Sequence, residues 1–190
     1  MTDLMRYAAA LAGAAEERRL PPVERWDPPY CGELDLVIRR DGLWVHEGTP
    51  IGRAPLVRLF STVLRKEGER YFLVTPVEKL GIRVEDAPFL AVLMREDEAG
   101  RLVFTTNVGD EAVAGPGDDL VFRETARGGD WAPYIHVRSG LWALVARPLF
   151  YDLVARGETR AIDGEDQFGV ASGETFFPFG PTAFVFDEET

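Results

Sequence analysis

The chain has 190 residues, 46% of them hydrophobic and 11% aromatic, enough apolar side chain for one domain or two small ones, and this excludes wholesale disorder. Its 21 Lys and Arg stand against 32 Asp and Glu, a net charge of -11, which disfavours DNA, RNA or an anionic membrane as partner because phosphate groups need clustered cations. One cysteine, Cys31, excludes an intrachain disulfide, and with only His46 and His136 beside it a Cys/His zinc site fails on ligand count.

Asp3 to Arg18 is rich in Ala and Leu and predicts a surface helix. Its flanking acids argue against a signal peptide, and no apolar run approaches the roughly 18 residues of a membrane span, so a cytoplasmic protein is expected. Leu20 to Pro29 carries four prolines and predicts an irregular stretch pinned by Trp26. Leu34 to Ile38 alternates as a strand, Asp41-Gly42 marks a hairpin turn, and Leu43 to His46 is the return strand. Gly48 to Gly52 reads as a turn. Ala54 to Lys66 carries apolar residues on one helical face and predicts a helix that ends at Glu67-Gly68. Strands follow at Tyr71–Thr75 and Ile82–Glu85.

Phe89 to Met94 is apolar at every position, which predicts a strand covered on both faces. Leu102–Thr106, Leu120–Glu124 and Tyr134–Arg138 read as further strands, with a polar, Gly-rich loop over Gly109–Asp119. Leu141 to Arg156 has helical spacing, with Pro148 either kinking the helix or opening a second one. The acidic tail after Gly157 holds Phe176, Phe177, Phe179, Phe184 and Phe186, whose rings are expected to pack on a sheet or on another subunit. Val37–Trp44 and Ile135–Trp142 read V-I-R-R-D-G-L-W and I-H-V-R-S-G-L-W, a weak internal repeat that points to two similar lobes.

No short motif of a nucleotidase, dehydrogenase, serine hydrolase or zincin occurs. Cys31 beside a histidine would make a thiolate pair, but a small buried thiol is the expectation. Thr75-Pro76-Val77-Glu78-Lys79 ends a strand in a stiffened turn from which three polar side chains project. The alternative there is a Thr and Glu that satisfy the turn's own backbone, with Lys79 paired to an acid. Arg39, Arg40, Arg53 and Arg138 fall near the two hairpins. Arg53 precedes a helix, where backbone N–H groups favour an anion, unless Asp41 or Glu47 neutralises it. Trp26, Trp44, Trp131, Tyr134 and Trp142 flank the same turns and offer rings for stacking or, alternatively, fill the core.

The blocks W-x-P-x-x-C-G (from Trp26), D-G-x-W (to Trp44), G-T-P-I-x-R (Gly48 to Arg53), T-P-V-E-K (Thr75 to Lys79), TNVGDE (from Thr106) and PYIHVRSGLWALVARPLFYDLV (from Pro133) stand in one chain. Together they resemble the bacterial DUF1285 family from about Pro21 to Val154. The resemblance implies an α+β fold of two lobes with a duplicated core, the second lobe a pleckstrin-homology-like sheet plus helix. With the helix read from composition, the chain is expected to divide into an N-terminal helix over 1–19, a first lobe over 20–80 and a second over 81–190 that includes the acidic Phe-rich tail. No established activity, metal or cofactor comes with the resemblance. It implies a small anionic, nucleotide-like ligand at the interface between lobes, with a role in signalling or stress response. Trp44, Arg53, Thr75, Glu78, Lys79, Asp86, Asn107 and Arg138 are the residues carried over for that ligand, while Gly48, Pro50 and Gly52 serve the fold.

Three functions follow as expectations. In the first, a non-enzymatic binding protein, Arg53, Lys79 and Arg138 meet the ligand's charge, Glu78 or Asn107 orients it and Trp44 stacks on it. In the second, a hydrolase of a phosphorylated small molecule, Glu78 or Asp86 is the general base. The third is a protein-interaction module without a small ligand, in which the Phe-rich tail and the pleckstrin-homology-like lobe present a surface to another protein or to a second copy in a homo-oligomer.

Overall fold

Nine residues from Tyr30 to Ile38 form β1, and the chain reverses at Asp41-Gly42 into β2 (Trp44–His46). Gly42 takes a φ of 82°, its N–H reaches the Arg39 carbonyl at 2.9 Å, and the Asp41 carboxylate accepts the Leu43 N–H at 3.0 Å. This is the hairpin that the Asp-Gly pair predicts. The computed structural model describes residues 20–117 and 119–181; the helix expected over Asp3–Arg18 and the rings of Phe184 and Phe186 lie outside them.

The chain divides into two units, Met1–Pro88 and Phe89–Thr190. The boundary lies beyond the position 80 expected from sequence, for a topological reason. Strand β6 (Lys79–Val84) runs parallel to β1, so residues 81–84 belong to the first sheet. That unit also contains β3 (Thr49–Pro50), α1 (Ala54–Thr62), β4 (Leu64–Glu67) and β5 (Arg70–Val74). Its six strands lie in the order β3-β2-β1-β6-β5-β4, antiparallel except for β1 and β6. Leu36, Ile38, Trp44, Phe60, Leu64 and Leu73 are buried here.

Helix α1 is shorter than predicted. It stops at Thr62, and residues 64–67 form a strand rather than the last helical turn. Val63 and Leu64 fit either period, but the Val63 carbonyl accepts the Val74 N–H at 3.0 Å and commits the chain to the sheet. Alternation then puts Leu64 and Lys66 on one face and Arg65 and Glu67 on the other. Gly68, at φ 58°, turns the β4–β5 hairpin instead of capping a helix.

The second unit opens with β7 (Phe89–Glu96), β8 (Leu102–Thr106) and β9 (Glu111–Val113), followed by β10 (Leu120–Glu124), β11 (Trp131–Arg138) and β12 (Leu141–Val145). Their order is β9-β8-β7-β12-β11-β10, with β7 and β12 the one parallel pair. The expectation that β7 is covered on both faces fails beyond Ala91: Val92 and Leu93 are 38% and 64% exposed. The long helix predicted from Leu141 is a strand and then a helix. Residues 141–145 pair with β11 and β7, and α2 (Arg147–Ala155) begins with Pro148 in its first turn, where a missing N–H costs nothing.

The tail folds as a third sheet, β13 (Glu158–Ile162), β14 (Glu165–Ser172) and β15 (Thr175–Pro181). Phe168, Phe177 and Phe179 are buried, and the Phe179 ring lies 5.3 Å from Phe122 and 6.4 Å from Phe150. Ser172 ties this sheet to the larger one, donating to the Ala114 carbonyl at 2.6 Å and accepting the Leu102 N–H at 2.8 Å. Among the described residues the fold is therefore mostly sheet, with two α-helices and a short 3-10 turn at Val23–Arg25.

Candidate functional site

Six of the eight residues expected to line a ligand site belong to the first unit. Thr75, Glu78 and Lys79 share the β5–β6 turn. Thr75 is 2% exposed, and its hydroxyl oxygen accepts the N–H groups of Val77 (3.3 Å) and Glu78 (3.1 Å). Thr75 thus faces inward and closes its own turn rather than projecting to a ligand. Glu78 is half-buried, and its carbonyl accepts the Thr75 N–H at 2.9 Å.

Lys79 is held by Glu67, with Nζ at 2.9 Å and 3.2 Å from the two carboxylate oxygens, and it lies 5.0 Å from the centre of the Phe72 ring. Arg65 bonds the same Glu67. It also donates to the Val23 carbonyl at 2.9 Å and the Trp26 carbonyl at 2.6 Å. The buried Arg65 guanidinium, more than the half-buried Trp26 ring, therefore fastens the proline-rich entry segment. Register explains the grouping: Glu33, Gly81, Phe72 and Arg65 form one row across β1, β6, β5 and β4. Gly81 lacks a side chain where the Glu33 carboxylate lies; a Cβ there would stand 2.4 Å from it. Tyr30 donates to Glu33 at 2.5 Å, and Arg70 bonds Glu33 while stacking 5.5 Å from the Tyr30 ring and 5.0 Å from Phe72.

The Lys79 hydrogen bond, aided by Arg65 and opposed by burial, holds the Glu67 carboxyl below its ordinary value of 4.5. A lowered folded value means that Glu67 stabilises the fold above pH 4.5, and that this contribution is lost as pH falls through the folded value. Glu67→Gln should therefore flatten the loss of stability between pH 5 and 3 (about that window, set by the ordinary value), read from urea midpoints at successive pH values. An unchanged profile would refute the assignment.

Trp44 was expected to offer a ring for stacking. It is 1% exposed and belongs to the core, and its indole Nε1 has no hydrogen-bond acceptor among the described residues. Asp86 is tied to Arg40, with Arg40 Nε at 3.3 Å, and Glu85 accepts the Arg40 backbone N–H at 3.2 Å. Arg40 is thereby spent within its own unit. Arg53 stands exposed at the start of α1, and no carboxylate among the described residues pairs with it. The helix end beside it offers few donors: Leu56 and Val57 both direct their N–H groups to the Arg53 carbonyl, and Pro55 has none. Cys31 is exposed rather than buried, its thiol directed to the Pro29 carbonyl at 3.4 Å, because β1 begins at an uncovered end of the sheet.

The remaining two residues lie in the second unit and share the start of β7. Asn107 accepts the Leu90 N–H on Oδ1 at 3.0 Å and returns its own N–H to the Leu90 carbonyl at 2.8 Å. Arg138 is ion-paired with Asp110 and lies 4.9 Å above the Phe89 ring. Among the described residues no group of His, Cys, Asp and Glu has the geometry to hold a metal ion, and no helix is long and apolar enough to cross a membrane. Arg65, Glu67, Glu33 and Arg70 escape the sequence reading because residues 64–66 read as helix with its end at Glu67-Gly68, which hides the strand register that joins them.

These features define a two-domain, mostly sheet protein with polar and cationic clusters on each domain. Residues 21–87 match the family model described as Domain of unknown function (DUF1285), N-terminal domain, and residues 88–179 match that of Protein of unknown function (DUF1285), C-terminal domain. The chain belongs to the DUF1285 family. It is similar to the crystal structure of a DUF1285 family protein from Silicibacter pomeroyi DSS-3, with 45% identity and a TM-score of 0.79 over 93% of this chain and 97% of that one. It is also similar to a DUF1285 family protein from Shewanella baltica OS155, with 28% identity and a TM-score of 0.51 over 63% of this chain and 89% of that one. No curated protein matches the chain.

Proposed function

We propose that this protein binds a small anionic, nucleotide-like ligand without turning it over, in a signalling or stress-response role in the cytoplasm. Arg53 carries the reading. Of the three cations assigned to the ligand's charge, Lys79 and Arg138 already face Glu67 and Asp110, whereas Arg53 is exposed and has no carboxylate partner among the described residues. In a chain of net charge -11, an exposed arginine that stands at the start of a helix without an acid beside it is a cation available to an anion. The hydrolase alternative gains no such support from Asp86, which is tied to Arg40.

A duplicated core belongs to the same proposal. The two six-stranded sheets have the same strand order, each with a parallel pair at its centre, and this supports duplication. The repeat of Val37–Trp44 in Ile135–Trp142 does not, because it aligns β1–β2 with β11–β12, which occupy different places in that order. The second sheet followed by α2 is the part that supports a pleckstrin-homology-like relationship.

A thermal-shift screen of nucleotides and phosphorylated metabolites tests the binding reading. A ligand at 100 times its dissociation constant stabilises the folded state by about 2.7 kcal/mol. The expected result is at least one stabilising anion whose effect disappears in Arg53→Ala. A full screen without a stabilised sample would overturn it.

A further inference from the structure

Five arginines of the second unit, Arg95, Arg101, Arg138, Arg156 and Arg160, are each paired with a carboxylate. Arg123 is exposed and pairs with none among the described residues. It is not loose, however. Its guanidinium lies 4.3 Å from the centre of the Tyr134 ring and 5.1 Å from that of Trp142. Tyr134 beneath it is 1% exposed, while Trp142 is half-buried. Sheet register brings this about: Val121 is opposite Tyr134, Tyr134 is opposite Leu144 and His136 is opposite Trp142, so Arg123, two residues beyond Val121, shares the face of the two rings.

A guanidinium seated on aromatic faces keeps its charge and loses little freedom when it then binds, because its plane is already fixed. The N–H donors lie in the guanidinium plane as a fork that matches a pair of oxyanion oxygens. His136 lies 5.1 Å from the same indole between ring centres. Its Nε2 accepts the Gly140 N–H at 3.2 Å, and its Nδ1 lies 3.8 Å from an Asp119 carboxylate oxygen.

We propose that Arg123, seated on Tyr134 and Trp142, is a second anion-binding residue that takes a carboxylate or a phosphate group, with the half-exposed indole of Trp142 beside the bound group. It stands on a different unit from Arg53, goes beyond the function proposed above, and is tested apart from it.

The test uses the full chain, labelled with nitrogen-15, at low ionic strength. Inorganic phosphate and benzoate are titrated separately, and the Arg123 Nε–H and Trp142 indole N–H signals are followed. The expected result is a saturable shift of both signals. Saturation by phosphate identifies a simple oxyanion site; saturation by benzoate alone identifies an aromatic carboxylate site. Arg123→Gln should weaken binding at least tenfold. Arg123→Lys, which keeps the charge but not the planar fork, should weaken it less and guards against a variant that fails to fold. The proposal is overturned if neither anion gives a saturable shift, or if both variants bind as the wild type does. It is also overturned, with the Arg53 reading left standing, if the response survives in Arg123→Gln and is lost in Arg53→Ala.

Discussion

Arg65→Ala is expected to release the proline-rich entry segment and to cost the first unit about 3 kcal/mol, the low end of the range for breaking a buried ion pair, because Glu67 remains partly solvated and keeps Lys79. The Arg65 side chain is 9% exposed and satisfies two main-chain carbonyls, Val23 and Trp26, besides Glu67. An alanine leaves both carbonyls without that donor. For a domain of this size the midpoint should fall on the order of 10 °C or more. Hydrogen exchange should show the loss of protection concentrated in residues 21–29 and in β4. Arg65→Met, which fills the space but donates nothing, should recover less than half of the loss. A full recovery by methionine would show that packing, not hydrogen bonding, fastens the segment.

The second large effect is expected at Gly169. A Cβ at this position would lie 2.2 Å from the Phe177 carbonyl oxygen and 2.8 Å from both the Phe176 ring and the Pro178 Cα. Two of these neighbours are backbone, so the obstruction cannot be relieved by a rotamer change. Gly169 is opposite Pro178 at an irregularity in the β14–β15 ladder, which lets the strands approach closely. Gly169→Ala should cost about 3 kcal/mol, the upper part of the overpacking range. It should expose Phe168, Val170 and Phe177, all buried in the wild type, and raise binding of a hydrophobic dye. Gly52→Ala is the control. Nothing lies within 4 Å of the Cβ it would add, and the expected change in stability is near zero. A Gly169→Ala protein as stable as the control would contradict the close approach of β14 and β15.

Where a local signal had no competitor, the chain was legible. Asp41-Gly42 permits the positive φ that a tight hairpin demands, and no other structure suits that pair between apolar runs. Boundaries were harder wherever apolar residues satisfied two periods at once. Val63-Leu64 and Leu141–Val145 fit a helix by spacing, and only pairing with strands distant in the chain decided the outcome. The parallel pairing of β1 with β6 is of the same kind, since no local pattern announces it.

The candidate site divided along a similar line. The motif blocks marked residues of real structural consequence, but they did not say which side chains remained available. Trp44 is core, Thr75 closes a turn, and Lys79, Asp86 and Arg138 are each held by an opposite charge. Arg53 and Arg123 are the exposed cations to which the binding account assigns a role, and Arg123 carries no motif. Its position depends on a strand register that places it over Tyr134 and Trp142.

Calorimetric titration of the wild-type chain with a nucleoside monophosphate at low ionic strength bears most directly on the claim that this acidic protein captures small anions. The account predicts a saturable heat, reduced at least tenfold in affinity by Arg53→Ala. Heats of dilution alone, identical in wild type and variant across nucleotides and inorganic phosphate, would contradict it.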